Sequence, residues 1–148
     1  LCFLSVCNRH GARDRTICVF QNFGLERGAV ASTVSHDSHN FTVAYKNPED
    51  ALIAANYLQE AGGGMCAVLD GQVLAGLPLP VAGLMSKLPC HELVEQISAL
   101  EKAVGKVCKS DKMMMRIAIS SLLAAPILCI SDRGLVDGRT QTFVELFK

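Results

Sequence analysis

Between two runs of small and β-branched residues, 29–35 and 41–45, this chain places five consecutive polar or ionisable side chains: His36, Asp37, Ser38, His39 and Asn40. The flanking runs have the composition of buried strands, so the five residues between them form the connection of a strand pair. Burying a polar group without a partner costs a few kcal/mol. Such a cluster must therefore be held by water, by its own members or by a ligand. The segment fixes a strand–loop–strand unit and makes its loop the first place to seek function.

Other local signals extend the pattern. Residues 3–7 and 16–21 alternate as strands around a polar turn containing Gly11, which predicts a hairpin. Asn47 precedes Pro48, Glu49 and Asp50: an N-cap, a proline at the first helical position and acidic residues in the first turn. Leu52, Ala55 and Leu58 are the expected buried face of that helix, and Gly62-Gly63-Gly64 ends it. Asp70-Gly71 joins two apolar runs, 65–69 and 72–74, as a tight hairpin, because both residues tolerate positive φ. Leu77-Pro78-Leu79-Pro80 is expected to leave the sheet as extended chain.

A second helix is predicted from Pro89, with Leu93, Ile97, Leu100, Val104 and Val107 as its apolar stripe. Residues 113–125 fit strand or helix equally, which leaves the structure of 113–129 open, and 142–147 reads as a closing strand. Hairpins with isolated helices define an α+β domain, a mostly antiparallel sheet packed with helices, in one unit over residues 1–148.

At 148 residues the chain is long enough for one core, built from Ala, Val, Leu, Ile and Met because aromatics are only 5%. Lys plus Arg equals Asp plus Glu at 14 each, which argues against a nucleic-acid or acidic-membrane surface. Balanced charge with 50% hydrophobic residues suggests a covered surface and a homo-oligomer. The apolar run 117–130 contains Ser120, Ser121 and Pro126 and falls short of the ~20 residues a membrane span needs. Seven scattered cysteines, several on apolar segments, fit a reducing, cytoplasmic setting better than a disulfide framework.

Three kinds of chemistry can be weighed for the 36–40 cluster. Its imidazoles, with Asp37 as orienting carboxylate, can contact a ligand, move a proton or bind a metal. Equally, the same residue types satisfy turn backbone. A zinc-type nucleobase deaminase needs His-x-Glu and Pro-Cys-x-x-Cys. Pro89-Cys90-His91-Glu92-Leu93 has Leu at the second cysteine, and neither His-x-Glu nor the His-x-His of metal-bearing barrels occurs. Arg9, His10 and Arg27 are open between polar contacts and plain surface, with Glu26–Arg27 and Asp132–Arg133 pairing in solvent as the simple account. Gly24, Gly28, Gly63 and Gly83 are expected at positive φ or close backbone approach. Met113-Met114-Met115 reads as packing rather than a thioether metal site.

Six segments in order also carry a family resemblance: Asn8-Arg9-His10-Gly11, Gly24-Leu25-Glu26-Arg27-Gly28-Ala29, Ser35-His36-Asp37-Ser38-His39-Asn40, Gly62-Gly63-Gly64, Leu77-Pro78-Leu79-Pro80 with Ala82-Gly83-Leu84-Met85-Ser86, and Asp132-Arg133-Gly134-Leu135-Val136-Asp137. Together they resemble the C-terminal domain of the bacterial and archaeal adenine deaminases, departing around 113–129. The resemblance implies an amidohydrolase that converts adenine to hypoxanthine and ammonia, a hydrolase acting on a cyclic amidine C–N bond. It implies a preceding barrel domain carrying the divalent metal, manganese or iron, and no metal ligand in this segment. The expected site is a loop at the active-site mouth, with His36, Asp37 and His39 as catalytic candidates and Ser38 and Asn40 as substrate-binding candidates. Two alternatives stand beside it: a free-standing purine- or metal-binding module, and a purely structural or oligomerisation domain.

Overall fold

The computed structural model describes residues 1–110 and 112–145. Its elements run β1 (Cys2–Cys7), β2 (Arg15–Phe20), β3 (Ala29–Ser32), β4 (Phe41–Tyr45), α1 (Pro48–Glu60), β5 (Gly64–Leu69), β6 (Gln72–Pro78), α2 (Cys90–Val107), α3 (Met113–Ser120), β7 (Leu128–Ser131), β8 (Gly134–Asp137) and β9 (Thr142–Val144). Strands β1 to β6 form an antiparallel sheet in the order β2-β1-β4-β3-β5-β6, and β7-β8-β9 form a second, smaller sheet. This is the α+β domain expected from the hairpins and helices.

Both faces of the large sheet are used, and the period-2 alternation of strands decides which residue goes where. Ala29, Ala31, Val43, Tyr45, Cys66 and Val68 point to one side, where Ala54 and Leu58 of α1 cover them. Their neighbours Val30, Ala44 and Ala67, with Leu4 and Val6, point to the other, against α2, α3 and the small sheet. β3 is consequently buried along its whole length. Gly28 makes the entry to β3 possible: at φ +65° it passes so close to β5 that a Cβ would lie 2.2 Å from the Val68 carbonyl oxygen.

Helix α1 starts as its sequence dictates, with Asn47 Oδ1 accepting from the Glu49 N–H at 3.0 Å. Its buried face differs from expectation. Leu52 is 62% exposed, whereas Asp50, Ala54 and Leu58 face the sheet. The cause is Asp50, whose carboxylate accepts from the Gly71 N–H at 2.8 Å and ties the helix to the Asp70-Gly71 turn. A first-turn acid that would ordinarily face solvent is thus buried, and the helix rotates with it.

The β6 strand also runs further than the hairpin predicts, through Pro78, which pairs with Gly64. β6 is the outermost strand, so the missing proline N–H costs no ladder bond. On α2 only the C-terminal half is deeply buried, through Leu100, Ala103, Val104 and Val107, while Ile97 stays at the surface. The ambiguous segment resolves into α3, with Met113 and Ile117 in the core, followed by β7. The closing strand is observed over Thr142–Val144 and has ended by Glu145, while residues 146 and 147 of the 142–147 expectation lie outside the described residues. No helix among the described residues is long and apolar enough to cross a membrane.

Candidate functional site

The register of the large sheet sets the geometry of the site. Cys7 pairs with Phe41, Ser32 with both Thr42 and Met65, and Gly64 with Pro78. The turn after β1, the 36–40 loop, the glycines before β5 and the segment after β6 therefore all emerge at one end of the sheet. Segments far apart in sequence meet there because antiparallel pairing brings these chain ends together.

Direct bonds join them. The Arg9 Nε donates to the His39 carbonyl at 2.5 Å and its Nη2 to the Ala82 carbonyl at 2.8 Å. His10 Nε2 lies 2.9 Å from the Ser38 carbonyl oxygen. Thr33 Oγ1 donates to the Gly83 carbonyl at 2.6 Å and accepts from the Gly64 N–H at 2.8 Å. Gly63 and Gly83 pass so closely that a Cβ on Gly63 would sit 2.4 Å from Gly83 Cα. On the other flank the His36 N–H donates to the Ala118 carbonyl of α3 at 3.0 Å. Asn8 Nδ2 donates to Asp132 Oδ2 at 2.8 Å, which adds the β7–β8 turn to the group.

Within the loop the five candidate residues divide by exposure. His36, Asp37 and Ser38 are exposed, His39 is half-buried and Asn40 is buried. The His36 and His39 rings meet edge-on, with centroids 5.4 Å apart. His39 takes φ +49°, a left-handed conformation that costs most residues energy, and its N–H bonds back to the Ser35 carbonyl at 2.6 Å. Burial, then the neighbouring charges of His36 and Arg9, lower the His39 pKa below its ordinary value, which favours the neutral imidazole. Its Nδ1 and the Asn40 Oδ1 are buried without a protein partner among the described residues. A neutral imidazole can donate from one ring nitrogen and accept at the other, so both atoms have hydrogen-bonding capacity to spare.

Two hollows flank the loop. On the α1 side, about 370 Å³ is lined by Arg9, Thr33, Phe41, Leu58, Gln59 and Gly63, among others. On the α3 side, about 340 Å³ is lined by Asp37, Ser38, Ser121, Leu123, Ser131 and Asp132. Both are of the size that binds small ligands. Among the described residues no three His, Cys, Asp or Glu side chains gather to hold a metal ion.

Sequence reasoning located the loop but left open the side chains that hold it. Arg9 and His10 were candidates with no preference over plain surface. Thr33 carried no signal, because it reads as one more β-branched strand residue. The neighbour pairs at Glu26–Arg27 and Asp132–Arg133 do not form. Glu26 instead meets Lys109 at 2.8 Å, Arg27 Nε donates to the Lys106 carbonyl at 3.0 Å, and Arg133 lies 3.6 Å from Asp14. At these positions the partners come from segments distant in sequence. Gly24, Gly28, Gly63 and Gly83 all take positive φ.

Fold and site together define an α+β domain that presents a firmly anchored histidine loop at one end of its main sheet. Residues 1–142 match the family described as the adenine deaminase C-terminal domain, and the chain belongs to that family. The adenine deaminases of Escherichia coli O1:K1 and of Escherichia coli strain SMS-3-5 are each 42% identical to it over 149 aligned positions, 99% of this chain. The chain spans about a quarter of the length of these relatives, at 25%.

Proposed function

We propose that this domain serves an adenine deaminase by presenting the 36–40 loop at the mouth of an active site built by a preceding metal-bearing domain. The reaction would be hydrolysis of adenine to hypoxanthine and ammonia. The observation that carries this reading is the convergence of separated family segments on one loop. Arg9, His10 and the Ala82-Gly83 turn fix its backbone, yet His36 and Asp37 remain exposed. Anchoring a loop while leaving its ionisable groups free suits a positioning or proton-handling role better than a structural turn.

In this reading His39 acts as a neutral hydrogen-bonding group, since burial and the adjacent cations disfavour its protonated form. His36, edge-on to it and exposed, is the member better placed to carry a proton, with Asp37 beside it as counter-charge. Ser38 and the buried Asn40 hold the loop's shape and polar edge against the purine. The divalent metal, manganese or iron, belongs to the preceding domain, and no step of this loop depends on binding one. The 148-residue chain by itself should release no ammonia from adenine.

The test is His39→Asn, His36→Asn and Asp37→Asn in the full-length polypeptide that carries this domain. Asn tolerates the left-handed conformation at position 39, so that change removes the imidazole with little backbone penalty. Turnover should fall ~10²-fold or more in at least one variant, the scale of a positioned acid, base or polar group. Full activity in all three would leave the loop with a structural role only.

A further inference from the structure

The sheet face shared with α1 is only half covered. Strand pairing puts three cross-strand rows on that face: Phe41, Cys7 and Arg15; Val43, Ser5 and Ile17; Tyr45, Phe3 and Val19. Helix α1 packs on β3 to β6, so Val43 and Tyr45 are buried. Beyond them, on β1 and β2, Phe3 is 41%, Ile17 51% and Val19 57% exposed. The Phe3 ring stacks on buried Tyr45 with centroids 5.4 Å apart, so the exposed strip continues the core without a break. β2 is the outermost strand, and two of its three outward residues, Ile17 and Val19, are apolar where an exposed edge ordinarily carries charge, with Arg15 at the margin.

Contiguous exposed apolar residues on a sheet face mark a surface that a partner covers. Two observations indicate which one. In the relatives the matching quarter is the C-terminal part, so about three quarters of the polypeptide precedes it and enters at β1. Leu1, at that entry, adjoins the Phe3–Val19 row. The same face leads at its other end to the hollow lined by Arg9 and Phe41, beside the 36–40 loop.

We infer that the face formed by Phe3, Ile17 and Val19 is the docking surface for the preceding part of the same polypeptide. This rests on the reading of the chain as the C-terminal part of a longer enzyme. A body seated on this face and joined at Leu1 extends towards the histidine loop, which gives the loop a route to a site it does not itself contain. The occupant presents a complementary apolar surface, since the strip holds no charge apart from Arg15 at its margin.

Carbene footprinting of the full-length polypeptide and of the 148-residue chain tests this. Labelling of Phe3, Ile17 and Val19 should fall by about tenfold in the full-length protein, as expected for the dry centre of an interface. Val19→Asp in the full-length protein should restore labelling at Phe3 and Ile17. The same change should leave the melting temperature of the 148-residue chain nearly unaltered, because an exposed side chain is replaced. Equal labelling in the two proteins overturns the inference. Protection that arises in the 148-residue chain alone as its concentration rises assigns the face to a second copy and also overturns it. The loop reading stands or falls separately: protected Ile17 with full activity in the three loop variants keeps the docking face and removes the loop's catalytic role.

Discussion

Replacing Arg9 by Met isolates the clamp on the histidine loop. Met keeps much of the aliphatic stem and removes the planar fork that reaches two carbonyls at once. The lost contacts are Nε to the His39 carbonyl at 2.5 Å and Nη2 to the Ala82 carbonyl at 2.8 Å. A hydrogen bond to a charged group contributes ~1.5–3 kcal/mol when well shielded. Arg9 is half-buried and both carbonyls can take water instead, so about 1 kcal/mol each is the appropriate scale. A sum of about 2 kcal/mol raises the open population of the loop roughly 30-fold, since 1.4 kcal/mol corresponds to a factor of ten. Native-state hydrogen exchange should show that increase at the His39 and Asn40 amides. Amides in the centre of the sheet, such as those of Val30 and Ala44, should change far less. Arg9→Lys should recover only part of the effect, because an ammonium cannot span both acceptors in the same geometry. Unchanged exchange in the loop, or an equal increase throughout the sheet, would show that Arg9 is not what holds it.

Glycine substitutions should separate close approach from helix propensity. Gly63→Ala, at φ +111° and 2.4 Å from Gly83 Cα, should cost about 3 kcal/mol or more, whereas Gly105→Ala, with open space inside α2, should stabilise by about 0.5–1 kcal/mol; urea denaturation gives both, and a neutral Gly63→Ala would refute the contact. Burial pushes the Cys66 thiol up to about 12, while Cys90 is exposed, so iodoacetamide at mildly alkaline pH should modify Cys90 first and Cys66 only on unfolding. Mass spectrometry of the labelled peptides checks the order, and early labelling of Cys66 would contradict the packing. His39 has a pKa below the ordinary histidine value, so the unfolded chain binds its proton more readily than the folded one. The stability that this difference confers is present above about pH 6.5 and is lost as pH falls through the folded value. With Arg9, His36 and His10 as the cations facing the ring and Asp37 opposing them, His39→Asn should flatten the acid side of the unfolding-midpoint profile, and an unchanged slope would refute the coupling.

Much of the architecture was legible because its signals are local. Pro48 after Asn47 begins α1, and Asp70-Gly71 closes the β5–β6 hairpin, since a cap and a turn need only their immediate neighbours. Small and β-branched runs on either side of residues 36–40 likewise mark strands whose connection has to be polar. Asp50 shows where such reading stops. Its place in the first helical turn looks like a dipole acid, and only the Gly71 amide, 21 residues away, turns it inward and rotates the helix.

The candidate site divides along the same line. Histidines, an aspartate and an asparagine in one loop could be recognised from their chemistry alone. The sheet order β2-β1-β4-β3-β5-β6 then brought Arg9, Thr33, Gly63 and Gly83 to that loop. Sequence by itself determined the strands of the large sheet, the cap of α1 and a polar loop in an apolar chain, because period, capping and turn chemistry act over a few residues, whereas β7 and β8 carried no such signal. Tertiary structure alone decided which side chains hold the loop, which carboxylate is buried and which half of a sheet face stays open. Those outcomes depend on pairing between segments tens of residues apart, and the free energy of that pairing is set by the whole packed sheet rather than by any one segment.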